Sequence, residues 1–202
     1  MALSDLTFKL YTDSGLTAEY SGLSQLVHES DLSDGDQDFT FYFGSVVANR
    51  LCSPDAGNIT FTPTNTLAEW ATATAYTVGN MIEPTTPNTY VYRCTTAGTS
   101  HASTEPTFPT GAIGDTVVDG TAVWTLVGKR HEITEATLAL SAAALDTNVA
   151  GDPLDIASSV SSGVGNAIPV YVRITNAVAT VQSNTSYPNF GIYVNAITET
   201  EV

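Results

Sequence analysis

Four carboxylates lie within eight residues of the chain, at a spacing that could bind a metal ion. Asp31, Asp34, Asp36 and Asp38 surround Gly35. Carboxylate oxygens are ligands that Ca²⁺ prefers, and a glycine allows the sharp turn that wraps them around the ion. The stretch lacks the bidentate Glu and the full spacing of an EF-hand loop. Because Asp and Gly also satisfy the geometry of a hairpin loop, a calcium site and a solvated turn are both left open.

The other reactive side chains form no recognisable catalytic or metal-binding motif. His28, His101 and His131 lie far apart in the sequence, with no Cys or His at ligand spacing. The chain has no Gly-x-Ser-x-Gly elbow and no glycine-rich phosphate loop that opens a helix. Asp115 and Asp119 could act as the paired carboxylates of a glycosidase, but the sequence does not place them together. We therefore expect neither an enzyme nor a bound cofactor.

The two cysteines, Cys52 and Cys94, are too few for a disulfide scaffold or a zinc site. A single bridge between them and two buried thiols both remain open. Free cysteine is among the most buried residue types. The sequence therefore favours two buried thiols.

Net charge excludes several classes of partner. The chain has 202 residues, with 21 Asp and Glu against 6 Lys and Arg, and a formal net charge of -15. Nucleic-acid binding depends on basic side chains that neutralise phosphates, and anionic membranes also attract basic segments. We therefore expect no nucleic-acid partner and no membrane insertion. The first residues show no export signal, and no apolar run is long enough to span a bilayer.

Apolar residues alternate with period two in short runs, separated by Gly, Pro, Asn and Asp, which predicts an all-β fold. A short helical turn within residues 138–145 is the one alternative, since eight residues are marginal for a helix. The predicted strands cover residues 6–11, 25–29, 38–43, 58–62, 136–141, 154–160, 168–174 and 190–197.

Composition changes in the middle of the chain, which indicates an inserted module. Residues 67–128 are rich in Thr and Pro and contain both tryptophans, Trp70 and Trp124. Residues 63–66 and the basic pair Lys129 and Arg130 mark its two edges. An insertion whose ends emerge close together is a tolerated way to extend a loop. The host is then residues 1–66 plus 129–202, with a strand content typical of a β-sandwich.

The order of aromatic residues in the insert resembles a known family. Trp70 and Tyr76 come first, a Gly-Asn-Met-Ile stretch follows, and Tyr90, Tyr92, Pro106 and Trp124 complete the order. This order is similar to that of the small chitin-binding modules of chitinases. The resemblance implies a twisted three-stranded sheet and exposed aromatic rings that stack on sugars.

The sugar-binding part of that resemblance departs from the family pattern. Residues 95–104, where the family usually places its exposed aromatic pair, contain no aromatic residue besides His101. A rebuilt glycan site could use Tyr90, Tyr92 and Phe108. Trp70, Tyr76 and Trp124 are then core or binding aromatics. The alternative is that all these rings form the core of a small domain.

The whole chain also resembles virion structural proteins of tailed bacteriophages. The resemblance rests on the stretches Leu-Thr-Phe-Lys-Leu-Tyr-Thr-Asp at residues 6–13, Asp-Phe-Thr-Phe-Tyr-Phe-Gly-Ser at 38–45 and Val-Arg-Ile-Thr-Asn-Ala-Val at 172–178. It also rests on the insert between them. It implies a protein that is assembled in the bacterial cytoplasm and located in the virion, at the tail tip or on the capsid exterior.

These observations lead to an expected function. The host sandwich is expected to dock among other virion proteins as a homotrimer, and the insert projects outward toward a host-surface glycan or a neighbouring subunit. A tail-tip or baseplate component is the leading expectation. A capsid decoration protein and a free glycan-binding module are the alternatives.

Overall fold

Short strands form nearly all of the regular structure. The computed structural model describes residues 6–20, 36–175 and 190–202. In these residues the predicted all-β fold is confirmed. The strands are β1 (Lys9–Tyr11), β2 (Asp36–Gly44), β3 (Arg50–Pro54), β4 (Ile59–Asn65), β5 (Ala68–Glu69), β6 (Ala75–Tyr76), β7 (Met81–Glu83), β8 (Tyr90–Thr96), β9 (Gly98–Thr99), β10 (Thr116–Asp119), β11 (Ala122–Lys129), β12 (Ala136–Ala139), β13 (Leu154–Ala157), β14 (Val160–Ser161), β15 (Ile168–Thr175), β16 (Phe190–Val194) and β17 (Ile197–Glu201).

The structure changes several predicted boundaries. The predicted strand 154–160 divides into β13 and β14, and the predicted strand 190–197 into β16 and the start of β17. The strand β3 was not predicted, and the predicted strand 25–29 lies outside the described residues.

Helical structure in the described residues is limited to single 3-10 turns. The turn considered in residues 138–145 is the 3-10 segment Ala142–Asp146, capped by the hydroxyl of Ser141, which accepts the N–H of Ala144 at 3.2 Å. The other two are Ile133–Glu135 and Val164–Asn166.

The first layer of the host is a four-stranded antiparallel sheet in the order β1-β2-β15-β12. The pair β2 and β15 runs in unbroken register from Asp36 opposite Thr175 to Phe43 opposite Ile168. Phe41 and Phe43 are two positions apart in β2, so their side chains lie on the same face of the strand. Both side chains are buried.

The second layer consists of two three-stranded sections that follow each other along residues 50–65. In the first section β3 lies between β14 and β17, and in the second section β4 lies between β13 and β16. Each flanking chain runs beside β4 and then continues beside β3. The two sections therefore form one bent ribbon along residues 50–65, with residues 55–58 looping out as an exposed segment.

Asn195, which follows β16, extends the pairing with β4 into the loop at residues 55–58. Its side-chain oxygen accepts the N–H of Thr60 at 2.9 Å, and its amide nitrogen donates to the carbonyl of Asn58 at 3.0 Å. Its own N–H donates to the carbonyl of Thr60 at 3.2 Å. One asparagine thus replaces the ladder bonds that the loop interrupts.

The two layers enclose one hydrophobic core, which makes the host sandwich-like. Side chains from both layers contribute to it. The buried members are Phe8, Phe41, Phe43, Cys52, Ile59, Phe61, Ala136, Leu138, Val160, Val170, Val172 and Ile174.

Residues 67–128 contribute a separate sheet with its own buried clusters. The sheet has five strands in the order β10-β11-β8-β7-β5, and β6 pairs with β9 beside it. It is larger than the three strands expected, because the two-residue strand β5 adds parallel to β7 and β10 pairs with β11. Its buried clusters share no residue with the core of the host.

The first edge of the insert comes directly after a strand, and the second edge lies inside one. Residues 63–66 were predicted to end the host, yet β4 continues to Asn65, and β11 continues to Lys129. Pro63 fits within β4 because β13 pairs only as far as Phe61. One side of β4 at Pro63 therefore has no neighbouring strand among the described residues, and proline is tolerated on such an open side.

The strand directions give the host two different ends. Asn65, where the insert begins, and Ala136, which follows its return, lie at the end of the sandwich marked by Asp36. There the side-chain amide of Asn65 donates to the carbonyl of His131 at 2.5 Å. The opposite end is marked by Gly44 and Arg50. The insert is thus attached at one end of the body.

Because the cores are separate, a cavity in the sandwich should leave the packing of the insert intact. We expect Phe61→Ala to lower the free energy of unfolding of the sandwich by about 3 to 5 kcal/mol, since Phe61 is fully buried. Circular dichroism in urea should show an earlier transition, while tryptophan fluorescence, which arises only from residues in the insert, should change at the original midpoint.

Tyr193→Ala is the matched control, because Tyr193 lies in the same sheet and its side chain is exposed. It should change neither signal by much. A simultaneous early change of both signals in Phe61→Ala would show instead that the two cores unfold as one unit.

Candidate functional site

The aromatic residues of the insert come together below the surface. Trp70, Tyr76, Tyr92, Phe108 and Trp124 are all buried, and Tyr92 and Trp124 have no exposed area. The ring of Tyr76 meets that of Trp124 edge-on at a centroid distance of 4.7 Å. Such contacts add to the stabilisation that burial of the rings provides.

A buried carboxylate holds this cluster at its centre. One oxygen of Asp119 accepts the indole N–H of Trp70 at 2.7 Å and the indole N–H of Trp124 at 3.0 Å. The other oxygen accepts the backbone N–H of His101 at 2.7 Å. A buried charge is tolerated when its lone pairs are satisfied in this way. Asp119 therefore joins both tryptophans to the loop that follows β9.

Two glycines allow the backbones around Asp119 to cross. A side chain at Gly98 would lie 2.3 Å from the carbonyl carbon of Thr121, and one at Gly120 would lie 2.3 Å from the carbonyl oxygen of Thr99. Gly120 also has a φ of 60°. The N–H of Thr121 donates to that oxygen at 2.9 Å. Only glycine permits this approach.

Tyr92 and Phe108 form the other half of the cluster. Their ring centroids lie 4.5 Å apart. The Tyr92 hydroxyl donates to the carbonyl of Pro109 at 2.8 Å and accepts from the amide of Asn88 at 2.8 Å. Burial raises the pKa of the Tyr92 phenol. Both hydrogen-bonding directions of the hydroxyl are used within the protein, so this polar group is structural.

The geometry leaves little of the predicted glycan site accessible. A sugar stacks on the exposed face of a ring, and Tyr92 and Phe108 present no such face because they are buried. Trp70, Tyr76 and Trp124 serve as core residues for the same reason. Of the six aromatic candidates, only Tyr90 is half-buried. The glycan prediction therefore reduces to one side chain.

The predicted calcium residues are only partly described, and those that are have other partners. Asp31 and Asp34 lie outside the described residues. Asp38 uses both oxygens on the guanidinium of Arg173, at 2.8 and 2.9 Å, and Asp36 accepts the hydroxyl of Thr175 at 2.8 Å. The described ranges contain no group of three or more His, Cys, Asp or Glu that could hold a metal ion. The calcium interpretation gains no support from Asp36 and Asp38.

Arg173 organises the exposed carboxylates around it. A third contact runs from its Nη1 to Asp146 at 2.6 Å. The hydrogen bonds from Arg173 lower the pKa of Asp38, and the same contacts raise the pKa of Arg173. These ion pairs connect the neighbouring strands β2 and β15 across the sheet.

The cysteines and histidines are placed apart. Cys52 and Cys94 are free buried thiols, as the sequence favoured, and they lie in different cores. Burial raises the pKa of Cys52 to about 11, so its reactive thiolate is scarce at neutral pH. His101 lies in the insert, and His28 lies outside the described residues. His131 contacts Glu135 at 2.7 Å, just after the chain leaves the insert.

A partly buried ion pair holds Arg130, which follows β11, against the insert. Arg130 contacts Glu83 on β7 at 2.5 Å, and its N–H donates to the carbonyl of Thr89 at 2.9 Å. Glu83 is buried. Arg130 therefore joins the end of the insert to β7 and to the residue that precedes β8.

The opposite end of the sandwich carries a surface that the sequence did not reveal. Val46, Val47 and Val164 project from the loops at residues 45–49 and 161–167, and Val202 lies beside them. Their exposed fractions run from 39% to 69%. We call these four residues the valine end. The sequence offered little indication of this surface. The apolar pair 46–47 lies in a turn-like stretch without the hydrophobic periodicity that would show which way its side chains face.

Backbone hydrogen bonds hold the valine end in place. Gly163 donates to the carbonyl of Ser45 at 2.8 Å, and Val202 donates to the carbonyl of Asn49 at 3.0 Å. Beneath them the buried carboxylate of Glu199 accepts the N–H and the hydroxyl of Thr7 at 2.6 and 2.7 Å.

Comparisons with known proteins add no identity to this geometry. No protein-family model, no curated protein and no solved structure matches the chain. No helix in the described ranges is long and apolar enough to cross a membrane. The resemblances drawn from the sequence therefore stay predictions.

Removing the central carboxylate should unfold the insert first. We expect Asp119→Ala to reduce the free energy of unfolding by roughly 2 to 5 kcal/mol, because two indole N–H groups and one backbone N–H lose a buried acceptor. Urea unfolding followed by tryptophan fluorescence measures this directly. Asp152→Ala, at an exposed carboxylate of the host, is the control. An unchanged midpoint in Asp119→Ala would mean that water replaces the carboxylate without cost.

Stability should fall at acid pH partly through Asp38. Its folded-state pKa is lowered below the ordinary value of 3.8, so its contribution is present above that value and is lost as pH falls through the folded-state pKa. Asp38→Asn should be less stable near neutral pH and should lose less stability on acidification. Thermal unfolding between neutral pH and about pH 3 tests this, and identical pH profiles for the variant and the parent would contradict it.

Proposed function

We propose that the protein is a non-enzymatic structural protein of a bacteriophage virion. In this proposal the sandwich belongs to the assembled particle and the insert projects from it. We favour the tail tip or baseplate, where the insert contacts the host surface. The resemblance of the chain to tailed-phage virion proteins supports the setting, and the build of the molecule supports the division of roles.

The observation that carries the proposal is the two-ended body. The insert leaves the sandwich at Asn65 and returns before Ala136, at one end of the strands. The valine end lies at the other, beyond Gly44 and Arg50. An exposed apolar cluster on a charged protein marks an interaction surface. A molecule with such a surface at one end and a separate module at the other suits a particle component that is fixed at one end.

The buried ionisable groups support a structural role. Asp119 holds the tryptophans, Glu83 pairs with Arg130, Glu135 pairs with His131, and Glu199 accepts from Thr7. Catalytic groups face a cleft where substrate can reach them. These four carboxylates instead fasten strands and loops to each other, which is the role that structural ion pairs have.

The acidic charge is consistent with a subunit that has to stay soluble before assembly. A net charge of -15 keeps free copies apart and soluble in the cytoplasm. The small charged fraction, 13%, leaves many uncharged Thr and Ser side chains that an interface can bury without stranding a charge.

The insert has few ways to bind a glycan in this proposal. Tyr90 is the candidate that is not buried, so sugar binding would depend on this ring and on the hydroxyls around it. Contact with a protein on the host surface or with a neighbouring subunit fits the insert equally well, because its polar loops are uncharged over residues 95–104.

Immunogold labelling of intact virions with an antibody against residues 67–128 tests the proposal. We expect label at the tail end and a few copies per particle by quantitative mass spectrometry. The same antibody should block adsorption to host cells. Binding of the purified protein to host cell-wall glycan should fall in Tyr90→Ala if the insert recognises sugar.

The other outcomes are equally informative. Label over the head with hundreds of copies would replace the tail-tip assignment with a capsid decoration protein. Strong glycan binding by the purified protein together with unlabelled virions would leave the free glycan-binding alternative. Unlabelled virions without glycan binding would overturn the virion proposal.

A further inference from the structure

We propose that the sheet of the insert binds a saccharide that carries one carboxylate, with Arg93 as the side chain that receives it. The inference deepens the proposed function and rests on it for the setting, in which the insert meets a glycan of the host surface. It adds a charged contact to the single aromatic ring, Tyr90, that remains for stacking on a neutral sugar.

Arg93 differs from most basic residues of the chain because it has no acidic partner. The chain has 6 Lys and Arg against 21 Asp and Glu. Four of the basic side chains lie within 4.0 Å of a carboxylate, namely Lys9, Arg50, Arg130 and Arg173. Among the described residues, the side chains of Arg93 and Lys129 make neither an ion pair nor a hydrogen bond. Both unpaired cations therefore lie on the central strands of the insert, β8 and β11.

The guanidinium of Arg93 is half-buried and accessible to a ligand. Its nitrogens reach solvent, whereas Nε of Arg50 and Nε of Arg130 are buried without a hydrogen bond. Arg93 lies between Tyr92 and Cys94, whose side chains are buried in the core of the insert, so the backbone that carries it is fixed. A half-buried guanidinium has lost part of its hydration, and a planar carboxylate can replace that water with two parallel hydrogen bonds.

Threonine hydroxyls surround Arg93 on this side of the sheet. Arg93 lies opposite Thr125, and Thr125 lies opposite Thr116, so this row crosses about 10 Å, twice the spacing of neighbouring strands. The hydroxyls of Thr95 and Thr125 lie 2.9 Å apart. We call the residues that share this side of β8, β10 and β11 the threonine face: Arg93, Thr95, Thr116, Val118, Val123 and Thr125. Each threonine hydroxyl can donate and accept a hydrogen bond, which matches the hydroxyls of a sugar.

Charge complementarity decides which ligand the threonine face accepts. The face contains no carboxylate of its own. Glu83 lies two positions beyond Met81, which is opposite Arg93, and its buried carboxylate is held by Arg130. A net charge of -15 repels a polyanion, whereas one carboxylate needs only the one cation available. Protein interfaces are enriched in aromatic anchors, and this face has none. A saccharide with one carboxylate therefore fits it best.

Titration of the full chain, followed in amide NMR spectra, tests the site with a matched pair of probes. Cellobiouronic acid and cellobiose differ in one group, a carboxylate in place of a hydroxymethyl. We expect the acid to bind and to shift the amide signals of Arg93, Thr116 and Thr125. Cellobiose should bind roughly tenfold more weakly or less, because it has no carboxylate for the guanidinium. Arg93→Gln should lower the affinity for the acid to that for cellobiose. Raised salt should weaken binding of the acid, since it screens the ion pair.

Lys129→Gln is the matched control. Lys129 is the other unpaired cation, but it lies opposite Tyr90 and therefore on the other side of the sheet, so this variant should bind the acid like the wild-type protein. Unfolding curves verify that each variant is folded. Absence of binding of the acid by the wild-type protein, equal affinity for the two probes, or equal loss in both variants would overturn the proposal. Loss of binding in Tyr90→Ala with full binding in Arg93→Gln would also overturn it. None of these results affects virion labelling, which tests the proposed function separately.

Discussion

Antiparallel pairing on both sides of the loop at residues 55–58 determines where the rest of the molecule lies. The segments 154–161 and 190–201 flank both β3 and β4, and Asn195 bonds to Asn58 and Thr60 where residues 55–58 loop out. Because the ribbon stays aligned across that break, one of its ends carries the insert and the other adjoins the valine end. The division of the molecule into two ends thus follows from one backbone ladder.

The sequence predicted the regular strands and missed those that depend on distant partners. Alternation predicted β2 and β15 because every second residue there faces the core. It missed β3, a short stretch that contains Arg50 and Pro54, because its strand character comes from pairing with β17 more than a hundred residues away. Tertiary pairing of this kind leaves no local period to detect.

The candidate site shows the same limit. Both interpretations of the aromatic order of the insert, core or glycan platform, were compatible with the residue types. Burial decides for the core, and the residue that organises it, Asp119, lies 49 positions from Trp70. Asp119 entered the sequence analysis as half of a catalytic pair. Its structural role depends on two indoles and one backbone N–H that only the fold brings together.

The exposed loop at residues 55–58 shows how the body tolerates added chain. The neighbouring segments pair with the chain before and after it while it leaves the ladder, and Gly57 adopts a positive φ with open space around it. Lengthening such a loop has a small entropic cost that grows only with the logarithm of its length. A fold that already accommodates about sixty extra residues after Asn65 therefore has a second graft point midway along its flank, where a peptide or a whole domain could be displayed without disturbing either end.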